Sequence, residues 1–254
     1  MISELVFWRY LVWVWMALAA LLFVVLLRHP APYGRHSTSG WGLTLSARTG
    51  WLVMETPAAV LFLYWYLVGS HSGSVVAVTL LCMWESHYVH RAFVYPFSLS
   101  PRARAIPVAV VVFGFVFNVV NTYVNGRYLF HLGPDYRLDW LLDVRFVSGA
   151  LLFVVGWVLN RYADAVLRRE RNRSGQRYCR IDSWLFRYVC CPNYLGEIMI
   201  WIGWAVATWS LAGLSFALWT FANLAPRARA HLHWCRKHLE GYPVDRKALM
   251  PGIW

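Results

Sequence analysis

The sequence predicts an all-α, polytopic membrane protein with about seven transmembrane helices, on the strength of its hydrophobicity, the length of its apolar runs and the placement of its arginines. Of the 254 residues, 59% are hydrophobic and only 14% are charged. Soluble domains of this size rarely reach that balance, and bilayer-buried surface is its simplest cause.

A helix that crosses the hydrocarbon core needs about 20 mostly apolar residues. Such runs occupy residues 7–27, 51–69, 74–94, 106–123 and 146–163. The stretch from Tyr194 to Ala225 is too long for one span, and a break at Ser210–Gly213 divides it into helices near 194–209 and 213–235. The first run leads into Arg28-His29-Pro30 without a small-residue cleavage pattern, so it is expected to persist as an anchor. Loops at 28–50, 95–105, 164–193 and 226–254 hold eighteen Lys and Arg, and the alternate set holds four. Cytoplasmic loops collect these residues, which puts the C-terminus in the cytoplasm and the N-terminus outside it.

The formal charge of +12 comes from 24 basic residues, of which only Lys237 and Lys247 are lysines. Arginine suits bidentate pairing with phosphate and carboxylate. The arginines lie beside apolar runs and form no basic face on a polar domain, which argues against nucleic-acid binding. Cys82, Cys179, Cys190, Cys191 and Cys235 show neither CxxC pairs nor histidines at zinc-finger spacing, so neither a metal nor a disulfide framework is expected. There is no P-loop, and Gly40-Trp41-Gly42 lacks the third glycine and the following strand of a Rossmann site. A transporter would also carry charge in its spans, but the paired repeats of many transporters are absent. No obligate protein partner is evident; membrane lipid is the expected surrounding.

An ionisable group near the bilayer centre costs roughly 2.5–3.5 kcal/mol on insertion scales, so each needs a reason. Glu55 lies a turn inside the second run, just before Pro57; it reads either as an interfacial carboxylate beside a kink or as a functional acid. Tyr88, Arg91 and Tyr95 recur at i, i+3 and i+7 in the third run and make a polar seam. His87 and His90 lack a second cluster with metal spacing and are expected to pack or hydrogen-bond. Later runs repeat the habit, with stripes at Asn118, Asn121 and Asn125; at Asn160, Asp164, Arg168 and Arg171; at Asn193, Glu197 and Trp201; and at Asn223, Arg227 and His231. One stripe would be interhelical hydrogen bonding. Four that converge on the arginine-rich side point to a polar cavity with a cationic rim, suited to a polyanion.

These residues resemble the steroid 5α-reductases, the membrane NADPH-dependent 3-oxo-steroid Δ4-reductases. The resemblance runs through Pro32-Tyr33-Gly34-Arg35-His36, Glu55-Thr56-Pro57, His87-Tyr88-Val89-His90-Arg91, Asp143-Val144-Arg145-Phe146, Asn193-Tyr194-Leu195-Gly196-Glu197, Ala207-Thr208-Trp209-Ser210 and Tyr242-Pro243 to Pro251. It implies that Glu55 and Tyr88 contact the steroid 3-ketone, with a neutral Glu55 donating a hydrogen bond beside the Tyr88 hydroxyl. It also implies an NADPH site built from Asn121, Asn160, Asp164, Arg171, Tyr178, Arg180, Asn193, Glu197, Trp201, Arg227 and His231, with Tyr33 and Arg35 reaching the phosphates. Arg168, Arg169 and Arg173 read equally as contacts to lipid headgroups. A flat apolar substrate calls for a pocket of large hydrophobic side chains, for which Trp51, Phe117 and Trp219 are the candidates.

On this reading the chain is a single reductase domain, with 1–130 mainly binding substrate and 131–254 mainly binding NADPH. Its membrane is the endoplasmic reticulum in a eukaryote or the inner membrane in a bacterium, with the cofactor site facing the cytoplasm. Related reductases of a polyprenol, enoyl thioester or sterol, and a methyltransferase that uses S-adenosylmethionine, share the Asn193–Glu197 type of block and remain alternatives. Two positions depart from the family pattern. Met54 replaces a glutamine found in some relatives and leaves Glu55 drier, and Cys235 replaces a common tyrosine near the cofactor.

Overall fold

The computed structural model describes residues 3–38, 40–100, 103–250 and 252. In chain order the long elements are α1 (Glu4–Arg28), strand β1 (Thr44–Leu45), α2 (Ala47–Leu67), α3 (Val75–Val89), the short α4 (Tyr95–Ser98), strand β2 (Ile106–Pro107), α5 (Val108–Thr122), α6 (Val144–Ser174), α7 (Pro192–Thr208) and α8 (Leu211–His238). A π-helical turn, His90–Val94, joins α3 to α4, and a longer one, Tyr123–Leu132, extends α5. The protein is almost entirely helical, and each expected apolar run carries a helix. Among the described residues, three helical stretches are long and apolar enough to cross a membrane: Glu4–Arg28, Val108–Leu132 and Val144–Ser174. α2 carries Arg48, Glu55 and Pro57, and α3 and α7 are only 15 and 17 residues long.

Helix boundaries follow local chemistry. Ser46, Ser74 and Ser210 each accept a hydrogen bond from a backbone N–H three residues on, the N-cap that satisfies an otherwise orphaned donor at the first turn of α2, α3 and α8. Pro192 opens α7, where its missing N–H costs nothing. α7 stops where Trp209 turns left-handed at φ 43°, one residue before the Ser210 cap, so the break falls at the start of the expected 210–213 interval. A two-stranded antiparallel ribbon that hydropathy did not reveal pairs Thr44 with Pro107 and Leu45 with Ile106.

The chain divides into two compact units, Met1–Trp13 with Pro32–Val144, and Val14–Ala31 with Arg145–Trp254. In the first, α2 and α5 run in the same direction. A Cβ on Gly50 would meet Ile106 and Val111, one on Gly114 would meet the Met54 side chain, and one on Gly126 would meet Phe62 and Trp65. α3 is fastened to α2 by the Trp84 indole, which donates to the Ala58 carbonyl at 2.8 Å and stacks on Phe62 at 4.2 Å. The start of α1 joins this unit through Trp8, which donates to the Val124 carbonyl, and through Glu4, which pairs with Arg127 at 2.8 Å.

In the second unit α6 and α7 touch backbone to backbone. A Cβ on Gly156 would come within 2.7 Å of both the Gly196 oxygen and the Ile200 nitrogen, and one on Gly203 would lie 2.5 Å from the Phe153 nitrogen. Gly149 faces Ala207 in the same way, and Gly196 faces Asn160. Between apolar helices surrounded by lipid there is no hydrophobic gain on association, so small residues that let backbones approach become the means of packing. The C-terminal segment lies parallel to the chain before α7, with Val189 bridged to Lys247 and the Cys191 N–H donating to the Ala248 carbonyl at 3.1 Å.

Gly156→Val is expected to force α6 and α7 apart at a cost of about 1–3 kcal/mol or more, read as a lower melting temperature in detergent. Gly73→Ala, where a Cβ meets nothing within 4 Å, is expected to leave the melting temperature unchanged.

Candidate active site

Glu55 sits on α2 with its side chain 13% exposed, one turn before the Ala58 carbonyl that anchors Trp84. Asn118 and Arg91 are among the polar neighbours of its carboxyl. The Asn118 amide nitrogen, from α5, donates to the Met54 carbonyl at 2.8 Å and lies 3.4 Å from Glu55 Oε2. Arg91 Nε, from the π-helical turn, is 3.9 Å from Oε1. Met54, one of the two departures from the family pattern, directly precedes Glu55 on α2. The thioether packs on Gly114 while Asn118 supplies a polar neighbour. Tyr88 is buried on α3, with its ring 4.9 Å from Trp84 and 5.2 Å from His87.

The expected steroid-wall residues meet different surroundings. Trp51 is half-buried, with the Arg91 guanidinium 4.5 Å over its ring and Tyr95 edge-on at 5.2 Å. Phe117 is half-buried beside Asn118 on α5. Trp219 belongs to the second unit, where it is buried 4.6 Å from Trp15.

Of the expected cofactor set, the second unit holds most, and it joins Asn160, Asp164, Asn193 and Glu197 in one hydrogen-bonded network. Asn160 donates to the Asn193 carbonyl at 2.9 Å and reaches Glu197 Oε2 at 3.5 Å, and the Asn193 amide donates to Asp164 Oδ1 at 3.0 Å. Arg227, buried on α8, donates to the Tyr194 hydroxyl at 3.1 Å and the Ala31 carbonyl at 3.5 Å. His231 bonds the Arg227 carbonyl and meets the edge of Tyr194. Tyr178 lies between the Arg171 guanidinium at 6.0 Å and the Trp234 ring at 5.1 Å. Trp201 packs against Phe153 and Phe216 in the interior. Tyr33, Arg35 and Asn121 belong to the first unit. Asn121 is fully buried there; its side-chain carbonyl accepts from Asn125, and its amide nitrogen has no hydrogen-bond partner among the described residues.

Arg180 makes a different set of contacts. It donates to Asp182 at 2.6 Å and to the Gly241 carbonyl at 2.8 Å, while Arg246, whose side chain is 2% exposed, takes the other Asp182 oxygen at 2.7 Å. Burial pushes the Asp182 carboxyl up, but hydrogen bonds from Arg246 and Arg180 outweigh it and hold the group below its ordinary range. Cys235, the second departure, lies 3.9 Å sulfur to sulfur from Cys190. The Cys190 thiol is pushed up to about 12, by its hydrogen bond with Cys191 before burial, and so stays a thiol at neutral pH.

Sequence reasoning left Arg91, Asn118, Tyr194, Trp234 and Asp182 without assigned partners. The seam at 88, 91 and 95 signalled Arg91; for the others the pairing is long-range and no local pattern carries it.

Comparison with known proteins adds the deciding observation. Residues 104–254 match the family model described as 3-oxo-5-alpha-steroid 4-dehydrogenase. The chain is 41% identical to steroid 5-alpha-reductase DET2 of Gossypium hirsutum over 228 residues, 88% of each chain. It is 37% identical to human 3-oxo-5-alpha-steroid 4-dehydrogenase 1 over 224 residues, 87% of this chain and 86% of that one. The chain belongs to the steroid 5α-reductase family. The family match spans α5 to α8, and thus Asn160, Asn193, Glu197 and Arg227; Glu55 and Tyr88 lie ahead of it.

The low Asp182 carboxyl gives a pH prediction. A group depressed in the folded state adds stability above its unfolded value of about 3.9, and that stability is lost as pH falls through the lower folded value. Asp182→Asn is expected to remove up to about 1 kcal/mol at pH 7, discounted for a half-exposed carboxyl. Thermal melts below about pH 4 should then converge on those of the parent chain.

Proposed function

We infer that the chain is an NADPH-dependent membrane oxidoreductase that saturates the Δ4 double bond of 3-oxo-Δ4 steroids to give 5α-dihydro steroids. The observation that carries this reading is the match over 88% of both chains to a steroid 5-alpha-reductase. The donors of the second unit fit the cofactor. The guanidinium of Arg227 is buried, donates to the Tyr194 hydroxyl and the Ala31 carbonyl, and offers the planar donor fork that suits a pyrophosphate. Asn160, Asn193, Glu197, Tyr178, Arg171 and His231 would surround the dinucleotide, with Tyr33 and Arg35 toward its phosphates and Asp164, Arg180, Asn121 and Trp201 completing the set.

NADPH, when bound, supplies the hydride that C5 of the enone accepts. The residues of the first unit manage the charge that then develops on the 3-keto oxygen. Tyr88 donates its hydroxyl proton toward that oxygen, and Glu55, in its protonated form, donates a second hydrogen bond. Donors held ready where charge develops stabilise the enolate without reorganisation. Protonation at C4 completes the reaction. Trp51, Phe117 and Trp219 are assigned to the walls around the steroid.

The protein is integral to the membrane. We assign it seven spans, with the N-terminus outside, the C-terminus and cofactor site cytoplasmic, residues 1–130 mainly to substrate and 131–254 mainly to NADPH. The eighteen-to-four arginine and lysine asymmetry supports that orientation.

Purified protein incubated with NADPH and a 3-oxo-Δ4 steroid should form the 5α-dihydro product. A saturated polyprenol or acyl product, with no steroid product, would overturn the substrate assignment. Glu55→Ala and Tyr88→Phe are each expected to lower turnover by about 100-fold while NADPH still binds. Full activity in both removes the ketone-polarising role.

A further inference from the structure

Two groups touch the Glu55 carboxyl that the reaction scheme leaves without a role. The first is the Asn118 amide. A carbonyl oxygen only accepts, so the group 2.8 Å from the Met54 oxygen must be the amide nitrogen, which removes the usual ambiguity between the two ends of an asparagine. With one N–H directed to Met54, the second is the one that faces Glu55 Oε2 at 3.4 Å. Asn118 is buried, so its amide is not exchanged for water contacts.

The second group is the Arg91 guanidinium. An arginine side chain has many rotamers, but this one is bracketed by aromatic faces, with Trp51 at 4.5 Å and Tyr95 at 4.9 Å. The two rings meet edge to face at 5.2 Å. The π-helical turn His90–Val94 carries Arg91, and Tyr95 follows directly after it. Single π-turns within helices recur at functional sites because they reset the direction of the side chains that follow. Arg91 Nε stands 3.9 Å from Oε1, close enough for its charge to act on the carboxyl.

We propose that Asn118 and Arg91 are positioning residues that together hold the Glu55 carboxyl in one orientation, Asn118 by its amide at Oε2 and Arg91 by its ring-bracketed charge near Oε1. The proposal rests on the reading of Glu55 as a ketone-binding group. It explains why α5 and the π-helical turn each direct a polar group to the same point on α2. A carboxyl with two free torsions beyond Cβ would otherwise sample orientations in which neither oxygen meets the substrate, and small misplacements of a reacting group are costly.

The test is a double-mutant cycle on the full chain in detergent, with NADPH and progesterone as the 3-oxo-Δ4 steroid. Asn118→Leu, Arg91→Met and Arg91→Lys are each measured alone and in a Glu55→Ala background. Asn118→Leu and Arg91→Met are expected to lower kcat by about 10- to 100-fold with the KM for NADPH unchanged. In the Glu55→Ala background each should lower it by less than about twofold further, because the group being positioned is gone. Arg91→Lys keeps the charge but loses the planar contact with both rings, so its kcat should fall between parent and Arg91→Met; it keeps the test open where Asn118→Leu does not fold. Losses that multiply in the double variants, or single variants with parental kcat, overturn the proposal while leaving the role of Glu55 standing. Parental turnover in Glu55→Ala alone overturns that role and the proposal with it.

Discussion

The absence of side chains at Gly149, Gly156, Gly196 and Gly203 is what the second unit depends on. These glycines lie seven residues apart on each helix, so both pairs face the crossing, and any Cβ there would strike backbone rather than a yielding side chain. Close contact then brings the Asn160 amide to the Asn193 carbonyl at the opening turn of α7. Asn193 in turn binds Asp164, one turn further along α6. The polar network is a consequence of how near the two backbones come, since a side chain as short as asparagine bridges helices only at such separations.

The first unit uses a different device. α2 carries the Glu55 carboxyl and also two backbone acceptors, Met54 and Ala58, each taken by a side chain from another helix. Trp84 and Asn118 therefore fix α3 and α5 against the same stretch of α2 that bears the proposed ketone-binding acid. Unpaired polar groups away from water are costly, so these hydrogen bonds stabilise the unit and set its register together. Tyr88 rests on the Trp84–Phe62 stack and inherits its position from that contact.

Arginine plays two roles that charge alone does not separate. Arg246 and Arg180 clamp Asp182 and tie the C-terminal segment to the chain before α7. Arg227 is buried on α8 and donates to the Tyr194 hydroxyl and the Ala31 carbonyl. Arg91 belongs to neither group: the Trp51 and Tyr95 faces bracket it, and the Glu55 carboxyl stands 3.9 Å from its Nε. Reading all 24 basic residues as a single cationic rim would have merged these cases.

The all-α class and the positions of the helices were legible in the sequence, because hydropathy acts over a few neighbouring residues. The stripes were legible too, as the helical period brings Asn160 with Asp164 and Asn193 with Glu197 onto common faces. What tertiary structure alone decided is which stripe meets which. Asn118 was visible as a member of a polar face, but its meeting with Glu55 spans 63 positions along the chain. The engagement of Arg180 with Asp182 and Gly241, and the packing of Met54 on Gly114, likewise follow from how helices and loops are brought together. Periodicity determines the face a residue occupies; only the approach of a second backbone determines what that face touches.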